Sequence, residues 1–215
     1  MADEVRLWLA GEPVHLLGGR ALFLPERAAL LIADLHLGKA DTFRRAGMSL
    51  PAGGTGSDLR RLHLLVQHTG CRQLWILGDM LHGALHRAAW HAQWLEWRGR
   101  HPALEVHVVR GNHDRALSPP LLQAVVHEGE TELGAFRLRH EPDPVTCGHV
   151  IAGHLHPLVA LPGIRRRLPA FWLREGITVL PAFSRFTAGI VPRLQPGERM
   201  VACMEDTAVL LPVKR

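Results

Sequence analysis

Four short apolar runs, Ala29 to Ala33, Leu74 to Leu77, Val106 to Val109 and Val150 to Ala152, each end abruptly in polar residues. Near-continuous apolarity over three to five residues, without alternation, is what a strand covered on both faces requires. Between them the period changes. Ser57 caps a predicted helix with Leu59, Leu62 and Leu65 on one face and a stop at Gly70, after a glycine-rich loop from Pro51 to Gly56. A second helix is expected from Ala84 to Arg98. There Leu85, Ala88, Ala89, Ala92 and Leu95 make one apolar face, and Trp90, Trp94 and Trp97 a second stripe used for packing rather than base stacking. Ser118-Pro119-Pro120 opens a short helix holding Leu121, Leu122, Val125 and Val126, which stops near Gly129.

Ahead of these units, Val14 to Leu17 and Ala21 to Leu24 flank Gly18-Gly19, the pattern of a hairpin. Behind them, Phe136 to Arg139 reads as a strand ending at His140. The segments at 171–173, 177–180, 200–204 and 208–211, broken by Pro and Gly, read as antiparallel strands without a helix. Strands alternating with helices predict an α/β fold. With no repeat and no linker, residues 1–215 are expected to form a single domain.

Composition narrows the setting. No apolar run approaches the roughly 18 residues that span a bilayer, and no basic segment leads into an apolar one at the start, so a soluble, cytoplasmic protein without membrane contact is expected. Cys71, Cys147 and Cys203 form no CxxC pair and read as reduced, half-buried fillers. The formal charge is +5, and of the 25 basic residues all but Lys39 and Lys214 are arginine. Arginine's planar fork suits phosphate, which favours a polyanionic partner, although arginine-rich codon usage accounts for the same count. Fifteen histidines point to metal.

In α/β sheets, sites lie outside the carboxyl ends of the strands. Five such ends carry Asp34/His36, Asp79/His82, Asn112/His113/Asp114, His140 and His154/His156. Singly, each has a plain explanation as a turn, a cap or a satisfied histidine. Jointly they do not, because Asp, His and Asn recur at every end with almost no other polar type. Carboxylate, imidazole and carboxamide suit Mn²⁺, Fe²⁺ or Zn²⁺, and a set without thiolate argues against structural zinc. Asp34, His36, Asp79, Asn112, His140, His154 and His156 are enough for two ions if one carboxylate bridges.

The motifs D-x-H at Asp34, G-D at Gly78, G-N-H-D at Gly111 and G-H-x-H at Gly153, with the strand-end His140, resemble in order those of calcineurin-like binuclear metallophosphoesterases. Asp34-Leu35-His36-Leu37-Gly38-Lys39, the residues around His140, and Leu180-Pro181-Ala182-Phe183 with Phe186-Thr187 resemble more narrowly the bacterial ligase-associated DNA-damage-response endonuclease branch. The resemblance implies two mixed sheets packed as a sandwich with helices outside, a four-layer αββα arrangement whose second sheet comes from the C-terminal third. It further implies two divalent ions, Mn²⁺ foremost, and cleavage of single-stranded DNA in repair beside partners such as a ligase or helicase. Asp34, His36 and His156 would hold one ion and Asn112, His140 and His154 the other, with Asp79 bridging.

By the same resemblance His113 would protonate the leaving oxygen, with Asp114 orienting it; the alternative for Asp114 is a cap of the following segment. Two cations about 3.5–4 Å apart would acidify a bridging water and clamp the phosphate oxygens. Many relatives have G-D-x-x-D where this chain has His82, a histidine that could touch phosphate instead. Arg44, Arg45, Arg115, Arg165, Arg166 and Arg167 are candidates to track a nucleic-acid backbone. The rivals to a DNA nuclease are a small-molecule phosphatase or pyrophosphatase on the same scaffold and a nonhydrolytic scaffold subunit, the latter opposed by the full ligand set.

Overall fold

The computed structural model describes residues 4–39, 42, 43, 47, 54–82, 89–185 and 187–212. A seven-stranded sheet holds β1 (Glu4–Leu9), β2 (Glu12–Leu17), β3 (Ala21–Leu24), β4 (Ala29–Ala33), β5 (Gln73–Leu77), β6 (Glu105–Val109) and β7 (Val125–His127), hydrogen-bonded in that order. The strands β1 to β4 pair antiparallel through short connections, whereas β4 to β7 pair parallel. Parallel neighbours need crossovers. Here α1 (Gly54–Thr69), α2 (Ala89–Arg100) and α3 (Pro119–Leu122) follow β4, β5 and β6.

The second sheet contains β8 (Thr131–Leu133), β9 (Phe136–Leu138), β10 (His149–Ala152), β11 (Leu158–Val159), β12 (Leu168–Arg174), β13 (Ile177–Val179), β14 (Arg199–Met204) and β15 (Thr207–Leu210). Its order is β15-β14-β12-β13-β10-β9-β8, with β11 paired to β12. Strand β13 departs from the expected antiparallel run: it pairs antiparallel with β12 but parallel with β10, which is itself parallel to β9.

Strand β4 shows why its sequence is apolar throughout. Leu30 and Ile32 face the helices with Leu59, Leu62, Trp90 and Trp94, while Ala29, Leu31 and Ala33 face the second sheet with Phe136, Phe171 and Val201. Both faces are dry, so alternation would bury polar groups at a cost. All of the described long helices pack on the first sheet. The outer face of the second, at Val150, Ala152, Ile177 and Val179, is sealed by Val145, Leu155 and Trp172.

Several boundaries differ from expectation. Helix α1 starts at Gly54, so Ser57 lies inside its first turn instead of capping it. The tryptophan stripe, not Ala92, is the core face of α2; Trp94 is fully buried and its indole N–H donates to the Leu122 carbonyl at 2.9 Å, whereas Ala92 is exposed. The expected start of that helix at 84–88 lies outside the described residues, as does 51–53 of the glycine-rich loop. Helix α3 ends at Leu122 because Gln123 turns left-handed at φ 51°, and Val125 and Val126 join the sheet edge as β7. Adjacent β-branched residues favour that outcome.

In the β2–β3 turn the left-handed residue is Arg20 at φ 67°, whose N–H donates to Leu17 O at 3.0 Å. Gly18 is needed for another reason: a Cβ there would overlap the Thr207 backbone of β15, where the two sheets come together. Of the cysteines, all free, Cys71 and Cys203 are buried and Cys147 is exposed, so none is the half-buried filler expected. Among the described residues no helix is long and apolar enough to cross a membrane.

Candidate metal centre

The five polar strand ends meet at one edge of the sandwich. The loops after β4 and β5 zip together: Asp34 N–H donates to Gly78 O at 3.2 Å, His36 N–H to Asp79 O at 2.9 Å and Leu37 N–H to Met80 O at 2.8 Å. The second sheet is stitched to the same loop by a parallel bridge between Ala33 and Ala182, with Phe183 N–H donating to Ala33 O at 2.7 Å. Asp34, His36, Asp79, His154 and His156 all have left-handed backbones, at φ 55°, 48°, 44°, 68° and 48°. Such backbones are rare outside glycine and persist where surrounding structure over-determines them.

The motif glycines open the space. A Cβ on Gly78 would overlap the His140 ring, one on Gly111 would overlap Asp79, and one on Gly153 would press on Asp34. Each motif therefore supplies a donor and clears room for a donor from another loop.

Two clusters result. Asp34, His36 and His156 offer ligand atoms within 4.8 Å of one another, and so do Asp34, Asp79 and His140. Both carboxylates are buried, and Asp34 belongs to both clusters. The His156 Nε2 lies 3.4 Å from Asp34 Oδ1, while its Nδ1 lies 2.8 Å from the Ala188 carbonyl. A ring hydrogen donated to that carbonyl leaves a lone pair on Nε2 facing the carboxylate. His140 repeats the logic. Its Nδ1 is 3.3 Å from Leu77 O, and its Nε2 is 2.8 Å from Asn112 Oδ1, 3.0 Å from His154 Nδ1 and 3.6 Å from Asp79 Oδ1. A ring hydrogen on Nδ1, donated to Leu77 O, would leave the Nε2 lone pair facing the Asn112 and Asp79 oxygens.

A cation satisfies this arrangement. Asp34 Oδ1, both ring nitrogens of His36 and Nε2 of His156 are buried without a hydrogen-bond partner. Buried polar atoms are rarely left so. Burial, then the charges of Lys39, His156, His82 and His113, push His36 down to about 2, which keeps its ring neutral and its lone pair available. His156 moves the other way: burial lowers it, but the Asp34 carboxylate 3.4 Å from its Nε2 and the Ala188 carbonyl at its Nδ1 outweigh burial and raise it. Burial lowers Lys39 and the charges of Asp34 and Asp79 raise it, so this cation lies within electrostatic reach of both carboxylates. It stands in the first motif, yet no pattern of spacing marks it for that place.

His113 stands at the mouth. Its side chain is 49% exposed, its Nε2 is 3.9 Å from Asp79 Oδ2 and its N–H donates to Asp79 Oδ1 at 2.9 Å. The ring of His82 stacks on that of His113 at 5.8 Å and lies 5.5 Å from that of His36, which puts the departure from G-D-x-x-D inside the site. Burial, ahead of Lys39 and His113, lowers His82.

Asp114 requires a correction. It neither orients the His113 ring nor caps the next segment: its carboxylate accepts the backbone N–H groups of Met80 at 3.2 Å, Leu81 at 2.9 Å and Gly111 at 3.0 Å. It staples the loop after β5 to the loop after β6, and Asp79 is the carboxylate beside His113. Burial raises the Asp114 carboxyl, against three donated hydrogen bonds that lower it.

The arginines divide. Arg44 and Arg45 lie outside the described residues. Arg115 and Arg165 are exposed, and Arg166 and Arg167 line a groove that reaches His156. Arg20, Arg60, Arg61 and Arg185 line the same groove and were not singled out from sequence. The available signal for one of them was helical period: Arg60 falls on the exposed side of α1, whereas the Arg61 side chain is largely buried.

Residues 29–143 match the family model described as calcineurin-like phosphoesterase. Among solved structures, the Pseudomonas putida nuclease MPE is similar at 37% identity, with 97% of this chain and 100% of that one covered and a TM-score of 0.86. Yfce, a phosphoesterase from E. coli, is similar at 19% identity, with 86% and 99% covered and a TM-score of 0.48. Comparison with curated proteins found no match.

Proposed function

Since the chain belongs to the calcineurin-like phosphoesterase family and is a metal-dependent phosphoesterase, we propose that it is a phosphodiesterase that cuts DNA, preferentially single-stranded, with Mn²⁺ in the course of DNA repair. The observation that carries this reading is the end-to-end likeness to a nuclease at 37% identity. An open metal edge flanked by exposed arginines supports it. Both sheets contribute donors, in keeping with one domain across 1–215, and a DNA substrate suits a cytoplasmic protein working beside repair partners such as a ligase or helicase.

Divalent cations held by Asp34, His36, Asp79, Asn112, His140, His154 and His156 would supply Lewis acidity toward phosphate oxygens and a more acidic water. The remaining work falls to the chain. His113, anchored to Asp79 and open to solvent, donates a proton to the departing sugar oxygen. His82, stacked on it, contacts a phosphate oxygen, and Arg115 approaches the flanking backbone. Asp114 holds the His82 and His113 loops in register through backbone N–H groups.

Purified protein assayed across divalent metals against labelled single- and double-stranded DNA, RNA and chromogenic phosphodiesters and monoesters tests the reading. Nicking of single-stranded DNA with Mn²⁺ is expected. Hydrolysis of small phosphate esters without nicking would make the protein a small-molecule phosphatase, and absence of any metal uptake would make it a scaffold subunit.

A further inference from the structure

We propose that the arginine groove opening at His156 holds the phosphodiester backbone of the substrate strand on one side of the metal centre; this rests on the nuclease reading. The groove has a volume of about 630 Å³, and His156, a member of the first donor cluster, forms part of its wall. A strand lying in it therefore reaches the centre without leaving the protein. Six arginines line it, Arg20, Arg60, Arg61, Arg166, Arg167 and Arg185, against two acidic residues, Glu205 and Asp206.

The arginines do two different things. Arg20 and Arg61 are floor. Arg20 donates to the carbonyls of Ala182, Phe183 and Ser184 at 3.3, 3.4 and 2.9 Å. Arg61 pairs with the buried Asp58 at 3.0 Å, donates to the Phe183 carbonyl and lies 4.2 Å over the Phe183 ring. Burial lowers Arg61 to about 10, which leaves it charged near neutral pH. Arg61 pairs with Asp58 whereas Arg20 meets only carbonyls among the described residues, so the floor carries an excess positive charge in a poorly solvated position. Such a charge is costly without a counter-charge, and a polyanion in the groove supplies one. The segment that accepts these bonds, Ala182 to Ser184, overlaps the stretch that carried the narrower resemblance, and it leads directly into Arg185, which lines the groove.

Arg60, Arg166, Arg167 and Arg185 are exposed, and among the described residues no carboxylate pairs with Arg166, Arg167 or Arg185. These charges come from three separate segments of the chain, α1, the β11–β12 loop and the loop after β13. Among the described residues no Phe or Trp lines the groove, and the ring of His156 belongs to the metal cluster, so contact is to backbone, not to stacked bases. Binding there is consequently indifferent to sequence and sensitive to salt.

The test is the salt dependence of binding of a labelled phosphorothioate oligothymidylate to metal-loaded protein, read by fluorescence anisotropy. Each phosphate contact to a single strand adds about 0.7 to the slope of log affinity against log salt. Arg167→Ala and Arg185→Ala are each expected to lower the slope by about 0.7, the double variant by about 1.4, and the corresponding lysine variants to keep it. Thermal midpoints taken alongside confirm that these exposed changes leave the fold intact. Alanine variants that bind with the wild-type slope would overturn the groove assignment, as would a loss that lysine fails to restore. If wild-type protein cuts and binds the strand but its variants keep its slope, only the groove assignment falls. If it neither cuts nor binds DNA, the nuclease reading falls with it.

Discussion

Single side chains here are defined by what they face. His113 follows the donor Asn112 but is turned to solvent beside Asp79, and it belongs to neither cluster. His113→Ala should leave metal content unchanged, measured by elemental analysis, and lower turnover on DNA by about 10²–10⁴, the usual worth of a positioned acid or base. The loss should be smaller on a nitrophenyl diester, whose leaving group needs no proton. Release of a metal, or equal loss on both substrates, would contradict the leaving-group role. Asp34, His36, Asp79, His140 and His156, which the structure clusters, were legible because each stands at a strand end where packing needs nothing polar. The role of Asp114 was not, since its partners Met80 and Leu81 come from a different loop, and which backbone N–H groups a carboxylate finds is decided by how loops approach.

At the scale of elements, the buried strands could be read from their apolar runs, while helix ends could not. Gly54 begins α1 although glycine is a poor helix former, and the valines after α3 leave it for the sheet. At Gly54 the helix overrides local propensity, whereas the valines follow theirs into the sheet. The pairing of β13 with β10 also escaped the sequence, because nothing in Ile177 to Val179 encodes strand direction. It has a measurable consequence. His149 of β10 is buried with its Nε2 2.9 Å from Thr178 Oγ1 of β13, and burial lowers its pKa. In the unfolded chain that histidine takes a proton near pH 6.5, whereas the folded one resists. The unfolded state then binds more protons, so His149 contributes stability that is present above about pH 6.5 and lost as pH falls below it. Denaturant unfolding of His149→Gln should show a weaker loss between neutral and mildly acidic pH than the wild type; an identical pH dependence would contradict the assignment.

Across the whole molecule the centre is held by both sheets: Asp34, His36, Asp79 and Asn112 come from loops of the first, His140, His154 and His156 from loops of the second. The sandwich followed from a family resemblance. The contact that closes it, Ala33 with Ala182, joins residues too distant in sequence for any local pattern to record. Cations at such a seam bind the folded chain alone, so removing them should destabilise it. At a free metal concentration about 100 times Kd the stabilisation is about 2.7 kcal/mol, and a chelator should lower the thermal midpoint by several degrees, with recovery on adding Mn²⁺. A midpoint indifferent to chelator and metal would contradict a shared centre.

The most direct measurement titrates chelator-treated protein with Mn²⁺ while following both bound metal and nicking of single-stranded DNA. The expected result is no nicking without metal, two ions bound per chain, and nicking that rises as the second site fills. Nicking that persists without metal, or its absence at full occupancy, would contradict a metal-dependent DNA phosphodiesterase.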